Sequence, residues 1–193
     1  ALAYTQKRIC RVTYDPRLKV HTVWDLGNQD YMSIGLFQRG FAEWRMIGLI
    51  HEHQKKIDWY AGELNKLNLN WGWDWLPHDG FIQDYKSPSA YSLLKGFGRR
   101  VKPKIGTKLP VPNVPIETGI KAFRQAWPRM IIDEVTCAPF VEAAKRYRRS
   151  INKETQTPGP PVHDVGISDL MDMGRYFGLI YEKMTNDEEL NQR

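Results

Sequence analysis

Three runs of alternating apolar residues, 20–27, 31–38 and 43–50, follow one another with only turn residues between them. Links that short cannot hold the crossover that a parallel pair needs, so the three runs are predicted to be consecutive antiparallel strands. In the first, Val20, Thr22, Trp24 and Leu26 share one face while His21, Val23 and Asp25 share the other. Gly27-Asn28-Gln29-Asp30 supplies the first turn and Gly40 marks the second.

Beyond residue 53 the period changes. Ile57, Tyr60, Ala61, Leu64 and Leu67 fall on one face of a helix predicted over 54–67. A short aromatic strand is predicted over 71–76, and a helix over 89–96 with Ser89 as cap and Gly96 as stop. The basic, Pro-rich stretch 99–115 reads as extended. Helices are expected over 116–127, 138–150 and 167–184, and a strand over 130–133. Residues 151–162 read as a loop or hairpin. The last helix would bury Leu170, Met173, Phe177, Ile180 and Met184. The expectation is one domain over 1–193, with a lead-in segment over 1–19 and a frayed tail over 186–193. A meander followed by alternating helices and strands is the order of the ribonuclease H-like fold, an α/β class with a mixed sheet flanked by helices.

Carboxylates sit where apolar patterns end. Asp25 closes the first strand, Asp79 follows Leu76-Pro77-His78, and Asp172 stands on the last helix with Asp169 three residues before it. Burying a carboxylate is costly unless it is paired or binds a metal. Carboxylates held on rigid elements suit hard divalent ions, and two such ions about 3.5–4 Å apart can drive phosphodiester hydrolysis. Taken singly, each Asp is more often a cap, turn or solvated residue. Clustering predicts that one of these acids holds a proton above its ordinary pKa when no metal is bound.

The formal net charge of +6 and pI near 9.3 favour an anionic partner. Arg99, Arg100, Lys102 and Lys104 form one basic run. Arg146, Arg148 and Arg149 close the helix predicted over 138–150, and either group could track phosphates. No apolar run reaches the length of a membrane span, and the start has no apolar leader. Cys10 and Cys137 fit no metal spacing and read as reduced thiols.

The local text resembles the nuclease domain of phage terminase large subunits, the DNA-packaging proteins of tailed bacteriophages. The resemblance is carried by Val20-His21-Thr22-Val23-Trp24-Asp25-Leu26-Gly27 with Asp30 and Ile34, by Leu76-Pro77-His78-Asp79, and by the segment from Val111 to Ile120. Tyr147-Arg148-Arg149, Pro161-Val162-His163-Asp164 and Asp172 with Arg175-Tyr176 continue it. It implies a ribonuclease H-like endonuclease that uses two Mg²⁺ or Mn²⁺ ions to cut concatemeric double-stranded DNA during packaging. Asp25, Asp79 and Asp172 would be the catalytic, metal-binding acids, with Asp25 the bridge between ions. The family further implies an N-terminal ATPase, a small terminase subunit and a portal as partners, and the host cell cytoplasm as the setting. No G-x-x-x-x-G-K-[ST] phosphate loop is present, so ATP hydrolysis by this chain is not expected. With no initial Met, the sequence reads as the nuclease part of a longer protein.

Many relatives carry Ser-His where this chain has Ser168-Asp169; Asp169 could ligand a metal, act as an auxiliary acid beside the site, or simply cap or solvate the helix. Asp30, His78 and His163 are further candidates for orienting an acid or a water, with turn roles as the plainer alternative. His51-Glu52-His53, placed at a strand–helix junction, reads as a solvated cluster, and Asp133 has no matching family acid. The segment 151–162 resembles a hairpin that gates DNA access in the family. Two other readings remain: a transposase- or resolvase-type polynucleotidyl transferase, and a non-catalytic module docking on DNA or a portal.

Overall fold

The computed structural model describes residues 2–27, 31–84, 87–151 and 153–187. In chain order its elements are α1 (Leu2–Thr5), β1 (Ile9–Cys10), β2 (Val20–Asp25), β3 (Tyr31–Arg39), β4 (Trp44–His53), α2 (Ile57–Lys66) and β5 (Trp71–Trp75). Next come a 3-10 turn (His78–Phe81), α3 (Ala90–Gly96), α4 (Ile116–Ala126), β6 (Met130–Asp133), α5 (Ala138–Arg146), the hairpin β7 (Arg149–Ile151) and β8 (Pro158–Pro161), and α6 (Ser168–Ile180). The chain thus has the mixed α/β fold that its patterning predicts.

Six strands form one sheet in the order β1-β6-β4-β3-β2-β5. The meander β2–β3–β4 is antiparallel as expected, while β5 joins β2 in parallel and β6 joins β4 in parallel. The first nineteen residues are more than a lead-in: Ile9 and Cys10 extend the far edge of the sheet along β6. Each face carries a core. Val23, Phe37, Met46 and Ile132 pack with α4, α5 and α6. Val20, Trp24, Ile34 and Leu36 pack with α2 and α3. The alternation of β2 therefore places Asp25 on the α6 face, next to Val23.

Helix α6 is seated closely. The stripe Leu170, Met173, Phe177, Ile180 and Met184 is buried throughout. Gly35 of β3 leaves room for it, since a Cβ there would lie 2.7 Å from the Met173 sulfur. Gly178 lets α6 approach α4 until a Cβ would collide with the backbone of Phe123. Gly119 of α4 leaves space for Arg175, whose Nη1 would stand 3.1 Å from a Cβ at that position.

Several boundaries differ from the sequence reading: α2 starts at Ile57, and α6 stops at Ile180, short of Met184. Strand β4 runs on to His53, so His51, Glu52 and His53 belong to a strand and not to a junction. Helix α5 stops at Arg146, leaving Arg148 beyond it and Arg149 in the hairpin. The segment after residue 150 takes the hairpin form, pairing Arg149 with Pro161 and Ile151 with Pro158. No helix among the described residues is long and apolar enough to cross a membrane.

Candidate functional site

Strands β2, β4 and β5 all point the same way, and the candidate acids gather where they end. Asp25 is the last residue of β2, and Asp79 sits in the 3-10 turn just past β5. The first two turns of α6 bring Asp169 and Asp172 over the same edge. The carboxyl ends of parallel strands in an open sheet are where such folds place ligands.

The electrostatics show that these groups feel one another. Burial pushes the Asp25 carboxyl well above the usual carboxylate range, and the charges of Asp172, Asp169 and Asp79 push it further against the opposing Arg175. A raised acid is what clustering predicts, though burial is the larger cause. Asp25 keeps some solvent exposure, so it is the floor of a cleft and not a sealed core residue. Asp79 is also raised, chiefly by burial, with His78 and backbone N–H groups working the other way. Its Oδ1 is buried and meets no hydrogen-bond donor. A carboxylate oxygen in that condition is costly unless a cation approaches it.

The two acids of α6 are held differently. Asp169 is buried, and its Oδ2 accepts the Gly166 N–H at 2.9 Å. Asp172 is half-exposed and turned onto Arg175, which donates from Nε to Oδ1 at 2.8 Å and pairs with the same oxygen through Nη2 at 2.7 Å. Burial raises the Asp172 carboxyl; Arg175 and His163 oppose that, and Asp169 adds to it. Both acids lie in the positive, N-terminal part of the helix, where negative charge is favoured. Tyr176 is raised by burial and then by Asp25, which places its ring beside the same cluster.

His51 belongs to this neighbourhood, contrary to its reading as a solvated pair member. The pairing shifts between Leu36/Gly48 and Phe37/Met46, so Ile47 is an extra residue in β4. A bulge reverses which face the following residues occupy. Leu49 and His51 thereby come to the α6 face, where Asp25, Ser33 and His51 form one row across β2, β3 and β4. The Ser33 hydroxyl and His51 Nδ1 are 3.0 Å apart. Tyr31 stacks on the imidazole with ring centroids 4.4 Å apart, and Asp169 lies within its electrostatic reach. Tyr31, two residues before Ser33, was the one local signal; the residues past Ile50 are polar, and the bulge is not visible in one strand's sequence.

The remaining candidates divide. His78 lies beside Asp79, and His163 within electrostatic reach of Asp172. Asp30 lies outside the described residues. Arg99 is corrected: its side chain is 3% exposed and forks onto Asp74, with Nε to Oδ2 at 2.8 Å and Nη2 to Oδ1 at 2.6 Å, so it cannot meet a polyanion. Arg100 lies over the Trp73 ring, Lys102 spans Trp73 and Trp75, and Lys104 is exposed. Arg149 is engaged by Glu117 and by the Gly159 carbonyl, whereas Arg148 is exposed. Asp133, outside the site, closes β6 and caps the turn that follows it by accepting from Val12, Val135 and Thr136.

The donor chemistry suits a hard divalent cation: several carboxylates, one with a buried and unsatisfied oxygen. Among the described residues, no three His, Cys, Asp or Glu side chains are arranged to hold one ion together. Asp172 in particular is committed to Arg175.

Comparison with solved structures gives the same frame. The large terminase of a thermophilic bacteriophage, in complex with ADP, superposes with a TM-score of 0.68 at 16% identity over 90% of this chain. The chain has the terminase nuclease fold. It spans 42% of the length of that protein. The nuclease domain of the P22 large terminase matches with a TM-score of 0.66 and 16% identity, covering 90% of this chain and 86% of that domain. The SPP1 large terminase nuclease domain with bound Mn matches with a TM-score of 0.59 and 13% identity, covering 86% and 87% respectively. No family model and no curated protein matches the sequence.

Proposed function

We propose that this chain is a divalent-metal-dependent DNA endonuclease, the nuclease part of a terminase large subunit. The supporting observation is the meeting of Asp25, Asp79, Asp169 and Asp172 at the carboxyl edge of a terminase-type sheet, with a buried Asp79 oxygen that lacks a donor. In this reading Asp25, Asp79 and Asp172 hold two Mg²⁺ or Mn²⁺ ions, and Asp172 turns from Arg175 to do so. When bound, such ions neutralise charge on the phosphate and make an attacking water easier to deprotonate. The chain's own groups set the geometry. The Gly166 N–H holds Asp169, the Ser33 hydroxyl orients His51, and Tyr176 walls the cleft.

The substrate is concatemeric double-stranded viral DNA, cut during genome packaging in the host cytoplasm. An ATPase, a small terminase subunit and a portal belong to the larger protein and its assembly. The 42% coverage of a large terminase is the share a nuclease module would take.

Supercoiled plasmid with Mn²⁺ tests the reading. The native protein is expected to nick and then linearise it, a chelator to stop the reaction, and Asp25→Asn to abolish it. No nicking by the native chain at any Mn²⁺ concentration sinks the nuclease reading. Nicking that survives Asp25→Asn moves the site elsewhere.

A further inference from the structure

The acid cluster lies between two hollows, one on each face of the sheet. On the α6 face a hollow of about 610 Å³ is lined by Tyr31, His51, Arg146, Arg148 and His163 together with the turn from Asp164 to Ile167. It reaches the acids through that turn. Gly166 supplies the N–H that holds Asp169, and a Cβ at Gly166 would stand 3.9 Å from His51 Nε2 and from the Tyr31 ring. The base of the hairpin brings basic side chains together, because the Val162 N–H donates to the Arg148 carbonyl at 3.0 Å and so sets His163 beside Arg148.

On the α2 face a hollow of about 560 Å³ is lined by Asp79 itself, by Leu26 and Gly27 just past Asp25, and by Lys55 and Lys56. Adjacent residues of β3 feed opposite sides: Tyr31 lines the first hollow and Met32 the second. Lys55, Lys56, Arg146 and Arg148 are all exposed. Arg99, Arg149 and Arg175 are spent on carboxylates, whereas among the described residues no ion pair engages Arg146 or Arg148.

We propose that duplex DNA crosses the carboxyl edge of the sheet from one hollow to the other. Arg146, Arg148 and His163 take backbone phosphates on one side of the acids, and Lys55 and Lys56 take those on the other. This path rests on the nuclease reading and goes beyond it. It gives Lys55 and Lys56 a contact that the basic run 99–104 was expected to make, and keeps Arg146 and Arg148 in the phosphate-tracking role the sequence suggests for them. Two cation groups with acids between them centre a phosphodiester over the cleft, because the acids alone repel it. The contacts are to phosphate and carry no sequence preference.

Fluorescence anisotropy with a short labelled duplex, in chelator so that nothing is cut, tests the path. Two pair variants are compared with the native chain: Lys55→Ala/Lys56→Ala and Arg146→Ala/Arg148→Ala. Each is expected to flatten the slope of log affinity against log salt by about 1.8, from about 0.9 per phosphate lost. Between roughly 50 and 200 mM salt the native protein then loses about tenfold more affinity than either variant. Lys55→Arg/Lys56→Arg is expected to keep the native slope, and circular dichroism checks that each variant is folded. Arg100→Ala/Lys104→Ala is the comparison pair, outside both hollows. Native slopes in both hollow pairs, or a change confined to the comparison pair, overturns the path. Nicking by the native chain together with unchanged slopes rejects the path and leaves the nuclease reading standing. Flattened slopes without any nicking do the reverse.

Discussion

Arg99 offers the sharpest separation of a structural from a DNA-binding role. Its guanidinium is 3% exposed, lies 4.0 Å from the centroid of the Trp71 ring and makes two charge-assisted bonds to Asp74, whose side chain is 2% exposed. Asp74 Oδ1 also accepts from the Thr22 hydroxyl at 2.6 Å, and that oxygen accepts from the Trp24 indole at 2.7 Å. The set ties β5, which leads into the turn that presents Asp79, to β2 and to the strand-like segment at Val101. Arg99→Leu strands a buried carboxylate, which costs about 3–5 kcal/mol. With a urea slope near 2 kcal/mol per molar, the unfolding midpoint falls by about 2 M. Replacing both partners in Asp74→Leu/Arg99→Leu recovers most of that loss, because no unpaired charge remains. Urea titrations of the two single variants and the double complete the cycle. The reasoning would be falsified if Arg99→Leu cost less than about 1 kcal/mol while flattening the salt dependence of duplex binding.

Further outcomes follow from packing and titration. Gly178→Ala drives a methyl into the Phe123 backbone and is expected to cost about 1–3 kcal/mol, read as a lowered Tm. Gly62→Ala in α2 meets nothing within 4 Å and is expected to raise stability by about 0.5–1 kcal/mol; a loss there would mean that the helix is wrongly placed. At Asp133, burial alone would raise the carboxyl, but donors from Val12, Thr136 and Val135 hold it below its usual value. A depressed folded pKa gives stability that is present above the unfolded value and lost as pH falls through the folded one. The gap in urea midpoint between the native chain and Asp133→Asn is therefore expected to be full at neutral pH and to narrow in acid; a gap that widens in acid contradicts the assignment. Burial pushes the Cys137 thiol up to about 12, so a maleimide at pH 8 is expected to reach it only after denaturant is added.

The legible parts of the fold were those written in a local period. Alternation along β2 assigned Val23 and Asp25 to one face and Trp24 to the other, and the structure keeps that division. The stripe of α6 was readable residue by residue. Strand β1 was not, because two residues carry no period and their partner, Ile132, lies far along the chain. Arg99 misled for a related reason. A cation in a basic run looks solvated, and nothing local shows that Asp74 waits on a neighbouring strand to bury it. The four acids were picked from the ends of apolar patterns, and the fold does bring them to one edge. His51 reads as part of a solvated cluster at a strand–helix junction with no third ligand near in sequence; in the structure β4 runs on to His53, and the extra residue Ile47 turns His51 to the face of Asp25. A bulge is a pairing property of two strands, so one strand's sequence does not announce it.

Helix α6 has one more consequence. It is wedged along its length: Gly35 admits Met173, the Gly174 position lies against Phe123 and Phe140, and Gly178 abuts the α4 backbone. Such a helix has no slack in which to slide or roll, because each small displacement closes a contact that only a glycine permits. Asp169 and Asp172 are thus the fixed jaw of the cleft. In the nuclease reading, restraint acts on moving parts: the Asp172 side chain swinging from Arg175, or the admission of DNA. A partner that clasped α6 would find no backbone movement to switch, only the Asp172–Arg175 side-chain pair.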